Sequence, residues 1–167
     1  GAKGIVFSGG PASVHVEGAP SIDPGVYELG VPIFGICYGA QLLARDLGGT
    51  VARTGRGEYG RTDLDVVTEG VLFSAAQPTH QQVWMSHFDS ISTPPDGFTV
   101  TATTAQTPVA AMEHVGDGDH PGWRRYRLEI EVARSGNFGA TVRIVPRHDD
   151  IDSYVQIGHV AWAPSHG

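Results

Sequence analysis

The sequence predicts an α/β fold in which a mixed, largely parallel sheet carries a sharp strand-to-helix turn and is followed by a small β-rich tail. Three features predict it. Two short apolar runs, Gly4-Ile5-Val6-Phe7 and Val31-Pro32-Ile33-Phe34-Gly35-Ile36, each stop at a glycine-bearing turn, as buried strands do. Directly after the second run, Ala40, Leu42, Leu43, Ala44 and Leu47 recur at helical spacing. Beyond residue 125, apolar and polar residues alternate with the period of a strand buried on one face.

Each element follows from local chemistry. The first strand ends in Ser8-Gly9-Gly10-Pro11, a tight loop. The helix predicted from Tyr38 to Leu47 is stopped by Gly48-Gly49, which can adopt the left-handed conformation that closes helices. Leu64 to Val67, Val83 to Met85, Phe98 to Val100 and Val109 to Met112 read as short strands between Pro- and Gly-containing turns. Residues 115–125, from Val115 to Arg125, lack any apolar period and read as a junction loop. Tyr126, Leu128, Ile130 and Val132 then alternate with polar partners, and Ala140 to Val145 and Tyr154 to Trp162 add two more strand candidates. The expected organisation is therefore 1–114 as the main unit, 115–125 as the junction and 126–167 as a small antiparallel tail.

Composition narrows the function classes. The chain has 167 residues with Lys plus Arg 11 against Asp plus Glu 18, a formal charge of −7, which argues against nucleic acid or an anionic lipid surface as the main partner. Cys37 is the one cysteine, so no disulfide framework is available. No apolar stretch approaches the ~18 residues of a spanning helix, and a cytoplasmic protein is expected. Glycine, at 23 residues, is about twice its usual ~7% share, which fits many tight turns.

The chemistry centres on Gly35-Ile36-Cys37-Tyr38-Gly39. This is the cysteine form of the nucleophile elbow, in which glycines two residues either side permit a strained turn that lifts the side chain off the sheet. A helix N-terminus behind the thiol is expected to favour the thiolate. A buried core cysteine is the other reading of the same residue. The Gly9-Gly10 turn can offer a backbone N–H to a developing oxyanion, together with the N–H of Tyr38. The letters Ser8 to Ser13 also approach an S-G-G-x-D-S pyrophosphate loop, with Ala12 at the aspartate position. Gly55-Arg56-Gly57-Glu58-Tyr59-Gly60 satisfies G-x-G-x-x-G but runs into a strand-like segment rather than a helix, which a dinucleotide loop requires. The eight histidines form no metal-ligand pattern, and Asp149-Asp150-Ile151-Asp152 reads as a solvated turn, so no metal is expected.

Taken together, Phe7 to Ser13, Gly35 to Gln41 and Val83-Trp84-Met85-Ser86-His87-Phe88-Asp89 resemble, in order and spacing, the class I glutamine amidotransferase domain of GMP synthetase. Glu58-Tyr59-Gly60 and Ala110 to His114 look familial too. The resemblance implies a flavodoxin-like sheet and glutamine hydrolysis, with Cys37 as nucleophile and the N–H groups near Gly10 and at Tyr38 as oxyanion donors. It implies that Gln41, Ser86 and Asp89 line the glutamine pocket. Ammonia would pass to an ATP-pyrophosphatase domain or subunit that aminates activated XMP, and ATP and Mg would belong there, leaving this portion without a cofactor. The family's His-Pro-Glu, which supplies the general base and its orienting carboxylate, has no counterpart: His120-Pro121-Gly122 lacks the carboxylate. Nor is the family's first strand and helix found ahead of Lys3, and Phe88 stands where the family has glycine. A nucleophile without its base loses several orders of magnitude in rate, so a non-catalytic glutamine-binding or regulatory module is the competing expectation. Tyr126 to Glu129, Gly139 to His148 and Ile157 to Trp162 resemble, more loosely, the C-terminal strands of bacterial α-glucan phosphorylases, which implies a fused tail.

Overall fold

The structure is a computed structural model. It describes residues 4–70 and 72–114, the side chains of 54–56 excepted, together with the backbone of three strands between 126 and 157. Strand β1 (Ile5–Phe7) pairs in parallel with β2 (Ile33–Gly35), joining Ile5 to Ile33 and Phe7 to Gly35. Helix α1 (Tyr38–Asp46) leaves β2 through Cys37. Its residues from Tyr38 to Ala44 are all buried, and its last turn is closed by Gly48 at φ 94° and by the Gly49 N–H on the Ala44 carbonyl at 2.7 Å. The predicted helix thus ends at Asp46, one residue early.

The larger sheet holds β3 (Thr50–Val66), β4 (His80–Thr93), β5 (Phe98–Thr104), β6 (Ala111–His114) and β9 (Tyr154–Ile157) in the order β4-β3-β5-β6-β9. All its pairings are antiparallel. A separate antiparallel pair joins β7 (Tyr126–Val132) and β8 (Ala140–Pro146). Taken over all the described strands the pairing is mixed as expected, but the expectation that it is largely parallel is corrected: parallel pairing among the described strands is confined to the separate sheet of β1 and β2. The reason is connectivity. Among the described residues α1 is the one α-helix, and a parallel crossover needs a dozen or more residues, usually helical, for each added strand.

Other boundaries also move. Leu64 to Val66 and Val83 to Met85 are not separate short strands but parts of two long ones, β3 and β4, and Val67 lies just past the end of β3. The expected strand at Val109 begins two residues later, because Ala110 N–H bonds the Ala102 carbonyl across a register shift between Val100 and Ala102. In the tail, β7 and β8 form the expected antiparallel pair, whereas β9 adds to β6 with Ala111 opposite Ile157. The junction loop 115–125 lies outside the described residues.

The core lies between α1 and the large sheet. Tyr38, Ala40, Leu42 and Ala44 of α1 meet Val51 of β3, Ile91 of β4 and Met112 of β6. Leu43, on another face of α1, meets Phe7 and Ile33 and so ties the small sheet to the helix. A second cluster, built from Leu64, Val83, Met85, Ala102 and Ala111, holds the far end of the large sheet. Each Leu or Ile buried in this way contributes roughly 1.5–3 kcal/mol.

Two glycines set the closeness of this packing. A Cβ on Gly35 would lie 2.8 Å from the Ala40 Cα, and one on Gly39 would collide with the Phe7 carbonyl oxygen. Helix propensity alone makes alanine better than glycine at Gly39 by about 1 kcal/mol, whereas overpacking costs about 1–3 kcal/mol. With rigid backbone as the obstacle, the collision wins. Gly39→Ala is expected to lower the Tm by about 2–8 °C in a thermal melt, and an unchanged or raised Tm would show that helix propensity decides.

Candidate active site

Cys37 holds φ 51° and ψ −112°, and among the described residues it is the one non-glycine with positive φ. Such a conformation costs of order 1–3 kcal/mol and persists only where its surroundings fix it. Here the fixing groups are backbone: Ile36 N–H donates to the Phe7 carbonyl at 2.9 Å, and Gly39 N–H reaches the Ser8 carbonyl at 3.2 Å. The two glycines predicted to permit the elbow are the two whose missing side chains let α1 approach β1 and β2 this closely.

The thiol is half-buried, and the backbone N–H groups of Gly10 and Tyr38 bond to it and favour the thiolate. Burial outweighs them and pushes the Cys37 pKa up. The expectation that the helix N-terminus favours the thiolate is therefore corrected in its net direction: the donors are present, but desolvation of the charged sulfur is the larger effect. The N–H groups expected to hold an oxyanion converge on the sulfur itself.

In front of the thiol lies a cavity of about 500 Å³. It is lined by the loop Gly10 to Ser13, by Cys37 and Gln41, by Arg53 and Tyr59 of β3, and by Ser86 to Asp89 of β4. Edge strand β4 supplies residues from both of its faces. Its even positions Trp84, Ser86 and Phe88 are exposed, and its odd positions Val83, Met85, His87, Asp89 and Ile91 are buried. Phe88, where the family has glycine, stands on the exposed face at the cavity's margin, 46% exposed.

The structure brings all six sequence-predicted site residues to this cavity, Gly10, Cys37, Gln41, Ser86 and Asp89 as its lining and Tyr38 through its N–H on the sulfur. Gln41 is buried, and its Nε2 donates to the Asp89 carbonyl at 2.9 Å. Asp89 is also buried, and among the described residues its Oδ1 makes no hydrogen bond, the Arg53 Nε lying 3.8 Å away. A buried carboxylate oxygen without a hydrogen-bond donor is costly, and the Arg53 guanidinium is the cation that stands beside it.

Sequence reasoning missed two partners of this wall. His87 and Glu58 are both almost fully buried, with His87 Nε2 and Glu58 Oε2 3.1 Å apart. Glu58 accepts from the Thr104 and Thr107 hydroxyls, each at 2.6 Å. His87 Nδ1 reaches the Asp89 carbonyl at 3.0 Å. Burial lowers the His87 pKa, opposed chiefly by the Glu58 carboxylate. The signal that could have found His87 is its parity with Met85 on an alternating strand. Glu58 could not be found locally, because a bulge between Arg53 and Glu58 sets five steps of β3 against the two from Asp89 to His87. The G-x-G-x-x-G letters lie within β3 and open no helix. His120 and the Asp149 to Asp152 turn lie outside the described residues. Among the described residues no cluster could hold a metal ion, and no helix is long and apolar enough to cross a membrane.

Comparison with known proteins agrees with this geometry. Residues 1–118 match the family model of class-I glutamine amidotransferases, and residues 98–164 match that of the glycogen phosphorylase C-terminal domain, the two overlapping across β5 and β6. The chain is 60% identical over 112 residues to a glutamine-hydrolysing GMP synthase of Thermobifida fusca, covering 67% of this chain and 21% of that one. It is 58% identical over 109 residues to one from a Parafrankia species, covering 65% and 20%. The chain thus spans about a fifth of the length of these curated relatives. A solved structure from Thermoplasma acidophilum, assigned as one component of a GMP synthase, superposes with a TM-score of 0.56 at 32% identity, covering 68% of this chain and 58% of that one. With the family model matched from residue 1 to 118 and the cysteine elbow formed within it, the chain belongs to the class-I glutamine amidotransferases.

Proposed function

We propose that this chain hydrolyses the side-chain amide of glutamine and is the ammonia-supplying portion of a GMP synthase. The observation that carries the reading is the Cys37 elbow, with two backbone N–H groups on its sulfur and, across the cavity, a buried Asp89 oxygen that accepts no hydrogen bond among the described residues. A cavity of about 500 Å³ suits a free amino acid. The identity to GMP synthases supports that choice within the family.

In this mechanism glutamine's α-ammonium pairs with the Asp89 carboxylate, and its amide carbon lies against Cys37. The sulfur adds to that carbon, and the Gly10 and Tyr38 N–H groups hold the oxygen that becomes negative. The C–N bond then breaks, the leaving nitrogen takes up the proton that the Cys37 thiol gave up, and ammonia departs from a glutamyl thioester. Water cleaves the thioester to glutamate and returns the thiol. Of the described cavity residues His87 is the histidine, and both its ring nitrogens are already engaged, so it does not serve as base. Turnover is accordingly slow, while covalent capture, which needs only the thiolate and the pocket, is retained.

The reading extends to the surroundings. Ammonia goes to a synthetase domain or subunit, which holds ATP and Mg, and this portion needs no cofactor of its own. Residues 1–114 are the amidotransferase portion, and 126–167 are a tail whose β9 extends the sheet at β6. The protein works in the cytoplasm.

A chloroketone analogue of glutamine is expected to label Cys37 with saturation, and L-glutamine to protect it. Ammonia release from L-glutamine, slow in the unmodified chain, vanishes in Cys37→Ala. Labelling that never saturates, or ammonia release that survives the substitution, would refute the reading. Because burial raises the thiol pKa, the reactive thiolate fraction grows as pH rises. Alkylation of Cys37 by iodoacetamide is therefore expected to climb to a midpoint above the ~8.5 of an ordinary cysteine. A midpoint near neutrality would mean that the two N–H donors outweigh burial.

A further inference from the structure

The Glu58–His87 pair is buried beside the cavity yet has no part in the steps above. Its hydrogen bonds define what it does. The Asp89 carbonyl can only accept, so the proton on His87 Nδ1 is fixed there at 3.0 Å. In a neutral ring Nε2 then carries no proton, yet it faces the Glu58 Oε2 at 3.1 Å. At that distance a single proton shared by the pair, on the ring or on the carboxyl, would join the two as partners. Glu58 is in turn held by the Thr104 and Thr107 hydroxyls, one on each oxygen. Thr107 N–H donates to Thr104 Oγ1 at 2.9 Å, so the loop after β5 locks both. From the other side Gln41 Nε2 bonds the same Asp89 carbonyl at 2.9 Å, which uses both of its lone pairs.

We propose that His87 and Glu58 are positioning residues that, with Gln41, clamp the Asp89 main chain so that its carboxylate faces the cavity and reads the charged amino group of the substrate. The contacts through Glu58 and His87 run from the β5 loop to Asp89 without passing through Cys37, whereas Gln41 bonds the Cys37 carbonyl through its own N–H at 3.0 Å. A fault in the Glu58–His87 path moves recognition of the amino acid and leaves the thiol chemistry in place. The inference rests on the glutamine reading above, and its test separates the two.

Labelling kinetics with the glutamine chloroketone, on the full chain, give a half-saturating concentration and a limiting rate for each variant. His87→Leu is expected to raise the half-saturating concentration by about tenfold or more, the effect of losing a hydrogen bond that supports a charged contact, with the limiting rate changed less than about threefold. His87→Asn keeps an N–H donor near the Nδ1 position and is expected to recover most of the lost affinity. In the unmodified protein, 15N-histidine NMR should show one slowly exchanging imidazole Nδ1 proton, a readout independent of any variant's folding. Equal losses in both kinetic parameters, no rescue by asparagine, or the absence of that protected proton would overturn the clamp. Saturation in the unmodified chain with an unaltered half-saturating concentration in His87→Leu would overturn the clamp alone, and no saturation in the unmodified chain would overturn the glutamine reading and the clamp together.

Discussion

Cys37 sits in a backbone conformation that an L-residue rarely adopts, φ 51° and ψ −112°, and the surrounding packing exists to hold it there. The strain is of order 1–3 kcal/mol. Burial of Leu42 and Leu43 on two faces of α1, at roughly 1.5–3 kcal/mol each, is enough to offset it. That burial is possible only because Gly35 and Gly39 let the first turn of α1 touch β1 and β2 at backbone distance. One strained residue thus couples the parallel pair, the helix and, through Gln41, edge strand β4.

The cavity wall opposite the thiol solves a different problem. An edge strand whose inward positions are Val83, Met85 and Ile91 would be an ordinary core strand, but His87 and Asp89 interrupt it with polar groups taken out of water. Their burial is tolerable because Glu58, two threonine hydroxyls, Gln41 and a backbone carbonyl satisfy nearly all of them. The β3 bulge makes this possible by placing Glu58 opposite His87, and it needs glycine beside it, since a Cβ on Gly57 would lie 2.7 Å from the His87 carbonyl oxygen. What is left without a hydrogen bond, one oxygen of Asp89, belongs to a residue that lines the cavity and lies 3.8 Å from the Arg53 guanidinium.

The elbow was legible in the sequence because its signal is local: an apolar strand, paired glycines around a cysteine, and a helix with leucine and alanine at its inner positions. The loop at Gly9-Gly10 was legible for the same reason, since a Cβ at Gly9 would come within 3.3 Å of the Cys37 Cβ. The first half of β3 was hidden, because Gly55, Gly57 and Gly60 leave no alternation of apolar and polar residues to read, and its strand character comes from pairing with β4. The Glu58–His87 contact was hidden more deeply. It depends on a register shift between two strands whose partners lie about thirty residues apart. The net effect of burial on the Cys37 thiol was equally beyond the sequence, which showed the helix behind the sulfur but not how little water reaches it. The antiparallel large sheet follows from long hairpin strands that composition alone broke into pieces.

The central claim is that a strained cysteine, two N–H donors and the Asp89 carboxylate form a single site for one amino acid. A crystal structure of the chain covalently labelled at Cys37 by the glutamine chloroketone tests it most directly. The expected adduct has its oxygen within hydrogen-bond distance of the Gly10 and Tyr38 N–H groups and its ammonium against the Asp89 carboxylate. An adduct that leaves the cavity for solvent, with Asp89 untouched, would contradict it.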